Sequence, residues 1–373
     1  MSLQRNNALW KIGSLIVVLE VIASFAFVFG ISHTYAAPAS ARKGIHGHPR
    51  FVDMHKDAPT QGSALMRKAL SNAPASTIPT WHSSFTSNGV TYPYTMVGTN
   101  PATSSTTSTV PTVIVPLALK YANGVTLDGT AKARSVSNSP LFKTASFASG
   151  NTQYGDAIQR AEFWSSVRTH PGYHVLLGQA AILPTVTLKV PANDGQETSS
   201  GSFHYAQVDV NWFYSQEVSL ITKLHISSTT LPIFLTYDSF LYDSGGCCIL
   251  GYHDASTLGG KVYTHIFASY IDPGIFDAST GITDVDALSH EVAEWLNDPF
   301  VNNTVPNWTT GNGYGCNNDL EVGDPLVGTS FAVNGYSLQD EALLPWFSRA
   351  ASPGTYQARY SFLGTFTHYS ASC

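Results

Sequence analysis

Charge is scarce in this chain: 12 % of its 373 residues are Asp, Glu, Lys or Arg, and the formal net charge is −6. Proteins that grip nucleic acid carry clustered basic faces. None is present, which excludes nucleic acid as a partner. Cysteine is also sparse, with four residues at 247, 248, 316 and 373. No C-x-x-C pair occurs, so the signature of a cysteine-ligated zinc cluster is missing. No G-x-S-x-G occurs either, and Ser289 beside His290 does not replace that nucleophile elbow. Past the first forty residues no apolar run is long enough to span a bilayer. Glutamate is rare, with eight in the chain, yet Glu291, Glu294 and Glu321 fall within 31 residues.

The N-terminus reads as an export signal. Arg5 and Lys11 precede an apolar run from Ile12 to Ile31, and the small-residue exit Thr34-Tyr35-Ala36-Ala37 follows it. Basic, apolar and small-residue regions in that order make a secretory signal peptide. Glu20 near the middle of the run would be costly in a permanent span, which favours cleavage over an anchor. Residues 1–36 are therefore assigned to the signal, and the mature chain is expected to be secreted and free of the membrane. Loss of Arg5, Lys11 and Glu20 moves the net charge from −6 to −7. Residues 37–80, rich in Pro, Ser, Ala and Thr with scattered His and basic residues, read as a flexible tail or pro-segment. Four cysteines in an exported chain imply two disulfides. Because adjacent cysteines rarely bridge each other, Cys247 and Cys248 are expected to reach Cys316 and Cys373 in some order.

Residues 81–373 read as one α+β unit with a β-rich N-terminal half. Strands are expected at 90–98, 111–122, 185–190, 203–208, 233–240 and 262–270, where β-branched and aromatic residues concentrate. A short helix is expected at 156–167. Phe213, Val218, Ile221 and Leu224 mark an amphipathic helix at 211–224. The strongest helical pattern covers 284–297, where Val285, Leu288, Val292, Trp295 and Leu296 line one face. Asp298-Pro299 stops it.

The chemistry concentrates on that last helix, in the run His290-Glu291-Val292-Ala293-Glu294. Four residues make about one turn, so His290 and Glu294 can converge on one ion. Glu291 sits about 100° around the helix, where a base beside a water belongs. The bland reading is a solvated polar face opposite an apolar stripe. A catalytic zinc ion takes a third protein ligand and keeps one position open. Glu321 is the first choice for that ligand. Asp324 would then orient His290 through a hydrogen bond, although the two carboxylates can exchange roles. One imidazole and two carboxylates suit zinc, and are also compatible with manganese or calcium.

His290-Glu291-x-x-Glu294 resembles the active-site helix of zincin metallopeptidases, with Glu in place of the second His. Glu321-x-x-Asp324 resembles the third-ligand segment of the gluzincins, at a different spacing. This likeness covers roughly residues 205–330. It implies a zincin-like C-terminal half in which the strand before the helix lies at the sheet edge and pairs with an extended peptide substrate. It also implies a metal-bound water with Glu291 as general base. His253, His265, Tyr314 and Tyr336 are candidates to stabilise an oxyanion. A second similarity points elsewhere. Cys248-Ile249-Leu250-Gly251-Tyr252-His253, Asn297-Asp298-Pro299-Phe300 and Asn334-Gly335-Tyr336 resemble segments of the plant phosphate-induced, EXORDIUM-like proteins. That likeness implies a non-enzymatic secreted protein associated with cell wall or carbohydrate.

Overall fold

Seven strands form the central sheet of the computed structural model, which describes residues 78–373 apart from 201–202, 245 and 311–314. The expected signal and most of the expected tail lie outside these residues. The described residues belong to one compact unit of mixed helix and strand, an α+β architecture. Among them no helix is long and apolar enough to cross a membrane.

The central sheet contains β1 (Thr112–Lys120), β2 (Thr126–Asp128), β3 (Ala181–Ile182), β4 (Val186–Lys189), β5 (Leu231–Tyr237), β6 (Gly251–Leu258) and β7 (Lys261–Tyr270). Its spine runs β4-β1-β5-β7-β6, with β2 and β3 also pairing with β1. The β4/β1, β1/β5 and β5/β7 pairs are parallel, and β6 closes the sheet antiparallel to β7. Central parallel strands buried on both faces read as apolar runs, and Leu-Pro-Ile-Phe-Leu in β5 is buried throughout. A separate four-stranded sheet, Gly195–Ser200, Phe203–Asp209, Ser239–Asp243 and Gly246–Ile249, stands beside it in the chain order.

Four helices bear on the architecture: α1 (Thr130–Asn138), α2 (Tyr154–Glu162), α3 (Val210–Lys223) and α4 (Asp286–Asn297). The Asp209 side chain caps α3 by accepting from the Asn211 and Trp212 amides. Phe213, Leu220 and Ile221 of α3 pack with Phe234, Tyr252 and Phe267 on one face of the sheet. On the other face, Leu288, Val292 and Trp295 of α4 pack with Ile114, Ile233 and Ile266. The sheet is thus filled from both sides, and α4 lies across β6 and β7.

Two expectations are corrected. The strand before α4 does not lie at the sheet edge. Gly259 and Gly260, both at positive φ (56° and 79°), turn the chain tightly so that β7 returns inside β6. Positive φ at both central residues is what a two-residue hairpin turn requires. Pairing of Ile266 with Ile233 then holds β7 against β5, leaving β6 as the edge. The cysteines also pair differently. A bridge between Thr309 and Ala371 brings the C-terminal segment beside Trp308, and Cys316 is joined to Cys373 with Cα atoms 5.8 Å apart. Cys247 and Cys248 are joined to each other across a cis peptide, with Cα atoms 3.0 Å apart. Both disulfides fit an oxidising compartment.

Candidate metal centre

All twelve residues of α4 are buried, including His290, Glu291 and Glu294. The solvated-face reading of this helix is therefore excluded. Burying so many ionisable groups is costly unless they are paired or hold an ion. What covers the polar face is the edge strand β6 on one side and the segment 321–324 on the other.

His290 is fixed from behind. Its Nδ1–H donates to Gln339 Oε1 at 3.2 Å, and Gln339 Nε2 donates to the Gly323 carbonyl at 2.8 Å, which sets the amide's orientation. His290 Nε2 consequently faces inward, 3.1 Å from Glu294 Oε2 and 3.8 Å from Asp324 Oδ1. Glu294 is held by its other oxygen, since Oε1 accepts from the Gly323 and Asp324 amides at 3.1 and 3.3 Å. Gly323 has to be glycine for a steric reason: a Cβ there would lie 2.4 Å from His290 Nδ1.

His253, from β6, enters the same cluster. Its Nε2–H donates to the Asp298 carbonyl at 3.1 Å, just past the end of α4. Nδ1 then points at Glu291 Oε2 (3.2 Å) and Glu294 Oε2 (3.5 Å). Glu291 Oε1 is buried and has no hydrogen-bond partner. Gly251 makes room for it, because a Cβ at Gly251 would lie 2.8 Å from that oxygen.

Two convergent donor groups result, with donor atoms in each within 4.8 Å of one another: His290, Glu294 and Asp324, and His253, Glu291 and Glu294. Glu321 is buried nearby and falls in neither group. Asp324 is the carboxylate that stands with His290 and Glu294. It is also the donor nearest solvent, its side chain being 12 % exposed. Two of the other oxyanion candidates lie elsewhere. His265 Nδ1–H donates to Glu217 Oε1 on α3 at 2.8 Å. Tyr336 Oη donates to the Ser135 carbonyl on α1. Tyr314 lies outside the described residues.

The electrostatics follow from this crowding. Burial opposes charge on His253, but Glu321, Glu291 and Glu294 overcome it and raise its pKa well above the ordinary value. Burial likewise opposes charge on His290, and Glu294 with Glu291 lifts it to about 10. Burial pushes the Glu291 carboxyl up, with His253 and His290 pulling the other way. For Glu294 burial is outweighed by His290 and His253, which hold it well below the usual range. Four carboxylates, Glu291, Glu294, Glu321 and Asp324, surround two imidazoles, a set that demands positive charge at its centre. The fit to a metal ion rests on the donors. Each imidazole gives its outer N–H to an oxygen acceptor, as metal-ligating histidines do, and turns the inner nitrogen toward carboxylates. Inner separations of 3.1–3.8 Å match two ligands on one ion, which at zinc bond lengths stand about 3.3 Å apart.

His253 was legible only as an oxyanion candidate and not as a ligand, and Gln339 and the backbone of Gly323 and Asp298 were not legible as parts of this centre. The one available signal was His253 itself, a histidine in a strand-length segment with few other charges. No family model matches the chain, and no curated protein or solved structure is significantly similar to it.

Proposed function

We propose that the protein is an exported metal-dependent hydrolase, with zinc at His290, Glu294 and Asp324 and peptide bonds as its substrate. The observation that supports this most is the orientation of His290: Gln339 occupies Nδ1, and Nε2 is left facing two carboxylates. Imidazole with carboxylate suits zinc or manganese better than calcium, which takes six to eight oxygens. A zincin-like arrangement of the C-terminal half is compatible with α4 lying across an antiparallel edge strand.

A bound zinc ion supplies Lewis acidity and makes water acidic near neutral pH. The chain supplies the rest. Glu291 has a buried oxygen with no hydrogen-bond partner beside the donors, so it can take a proton from water and return it to a leaving group. Glu294, tied by two amides, holds its place and does not move protons. Asp324 marks the side from which water and substrate approach. Glu291→Gln is expected to abolish hydrolysis of a broad panel of quenched peptides while the His290 site keeps its ion. Full activity in that variant would defeat Glu291 as the base, and a zinc-loaded wild type that cleaves none of the panel would defeat the hydrolase reading.

One observation favours a second reading, a structural metal centre in a secreted binding protein. His253, His290, Glu291 and Glu294 are all buried, and structural zinc sites are closed where catalytic ones keep an open position. Chelation separates the two. Loss of the fold on metal removal supports the structural centre, and loss of activity with the fold intact supports the enzyme.

A further inference from the structure

Glu294 Oε2 stands between two imidazole nitrogens, at 3.1 Å from His290 Nε2 and 3.5 Å from His253 Nδ1. From this geometry we propose that the centre binds two divalent cations, bridged by Glu294, and not one. The proposal rests on the metal reading given above and adds a second site: His253 Nδ1 and Glu291 Oε2 with the shared Glu294.

A neutral imidazole has one donor nitrogen and one acceptor nitrogen. A backbone carbonyl only accepts, so the contact of His253 Nε2 with Asp298 assigns the N–H to Nε2. In the neutral ring, the form that ligates a metal, the lone pair is then on Nδ1, where it meets Glu291 Oε2 and Glu294 Oε2 at 3.2 and 3.5 Å. Three acceptors directed at one point repel unless a cation sits among them. The same logic applies independently at His290, where Gln339 takes the Nδ1–H. The donors do not merge into one cage: they fall into two groups, and Glu294 is the member common to both.

The second group has the marks of a built site. All three residues are buried, with His253 on β6 and Glu291 and Glu294 on α4. The Asp298 carbonyl orients His253 in the way that a partner beyond the ligand shell commonly does. Glu294 spends Oε1 on the Gly323 and Asp324 amides, which leaves Oε2 alone to serve both sides. A carboxylate shared between two ions places them about 3.5–4 Å apart, the spacing of two-metal hydrolytic centres. The rival occupant of the His253 gap is a proton, giving an imidazolium paired with Glu291 and Glu294.

The test is metal stoichiometry in the full chain, loaded with Zn2+ and exhaustively dialysed, read by elemental mass spectrometry. The wild type is expected to keep about two ions per chain. His253→Gln is expected to keep one, and Glu294→Ala none. A wild type that keeps one ion, unchanged in His253→Gln, overturns the second site and leaves the hydrolase proposal standing. A wild type that keeps no ion overturns both. If His253→Gln fails to fold, the wild type loaded with Mn2+ decides the matter by electron paramagnetic resonance. A spin-coupled pair supports the bridge, and an isolated-ion spectrum contradicts it.

Discussion

Gly323 lies against the imidazole of His290 so closely that a Cβ would meet Nδ1 at 2.4 Å and Cε1 at 2.6 Å. The backbone there, at φ −84° and ψ −37°, is one that any residue adopts, so the demand for glycine is steric and not conformational. Gly323→Ala should therefore act by displacing the ring or the loop. Overpacking of this kind costs about 1–3 kcal/mol, and the metal site should suffer more than the fold. The expected outcome is a modest drop in melting temperature with a clear loss of zinc affinity, measured by competition with a chromophoric chelator. Unchanged affinity would show that His290 does not hold the ion.

Gln339 gives a complementary variant. Gln339→Leu removes the acceptor for His290 Nδ1–H and the donor to the Gly323 carbonyl. Partners of this sort are worth about 10- to 100-fold in metal affinity. Gln339→Glu keeps an acceptor for the imidazole and should bind metal more tightly than the Leu variant. Equal affinity in the two variants would assign Gln339 a purely packing role.

Much of this centre could be read from the chain and part of it could not. The helix was legible because Val285, Leu288, Val292, Trp295 and Leu296 repeat at helical spacing, and all five are buried. His290, Glu291 and Glu294 stood out because glutamate is rare and one turn separates the outer two. Strand β6 was not legible, for a physical reason. Alternate residues of a half-buried strand are normally apolar and polar, but here both faces are buried and both carry polar groups. Tyr252 bonds Glu217 on one face, and His253 faces Glu291 on the other. Helix α1 was hidden because only Ala133 and Val136 of it are buried, too few to print a period. The cysteine pairing depended on where the C-terminal segment comes to rest, which no local pattern records.

Glu162 supplies a pH prediction away from the metal. Burial pushes its carboxyl from about 4.5 to about 8, and the Leu344 amide, donating to Oε1 at 2.6 Å, offsets only part of this. The folded state therefore binds a proton that the unfolded chain releases. Its contribution to stability is complete below the unfolded pKa, near 4.5, and is lost as pH rises through about 8. Glu162→Gln keeps an acceptor for Leu344 and removes the titration. Between pH 5 and pH 8 the wild type should lose stability relative to this variant, by an amount on the order of a few kcal/mol. Denaturant unfolding of both proteins across that range is the check, and parallel pH profiles would contradict it.

The Cys316–Cys373 bridge spans a sequence separation of 57. In the chain-entropy model a loop of that size contributes about 4 kcal/mol. Cys316→Ser with Cys373→Ser should lower unfolding stability by up to that amount. Replacing Cys247 and Cys248 by Ser should cost less in the same model, because adjacent residues close almost no loop. Chemical denaturation of the two double variants, under non-reducing conditions, gives the comparison.

The most direct measurement is the zinc content of the wild-type chain beside His290→Ala, after loading with zinc and dialysis to constant composition. The wild type should retain at least one tightly held ion. His290→Ala should retain one fewer, with its fold preserved by circular dichroism. A wild type that emerges with neither zinc nor manganese, or a His290→Ala protein with the wild-type content, would contradict a metal centre on α4.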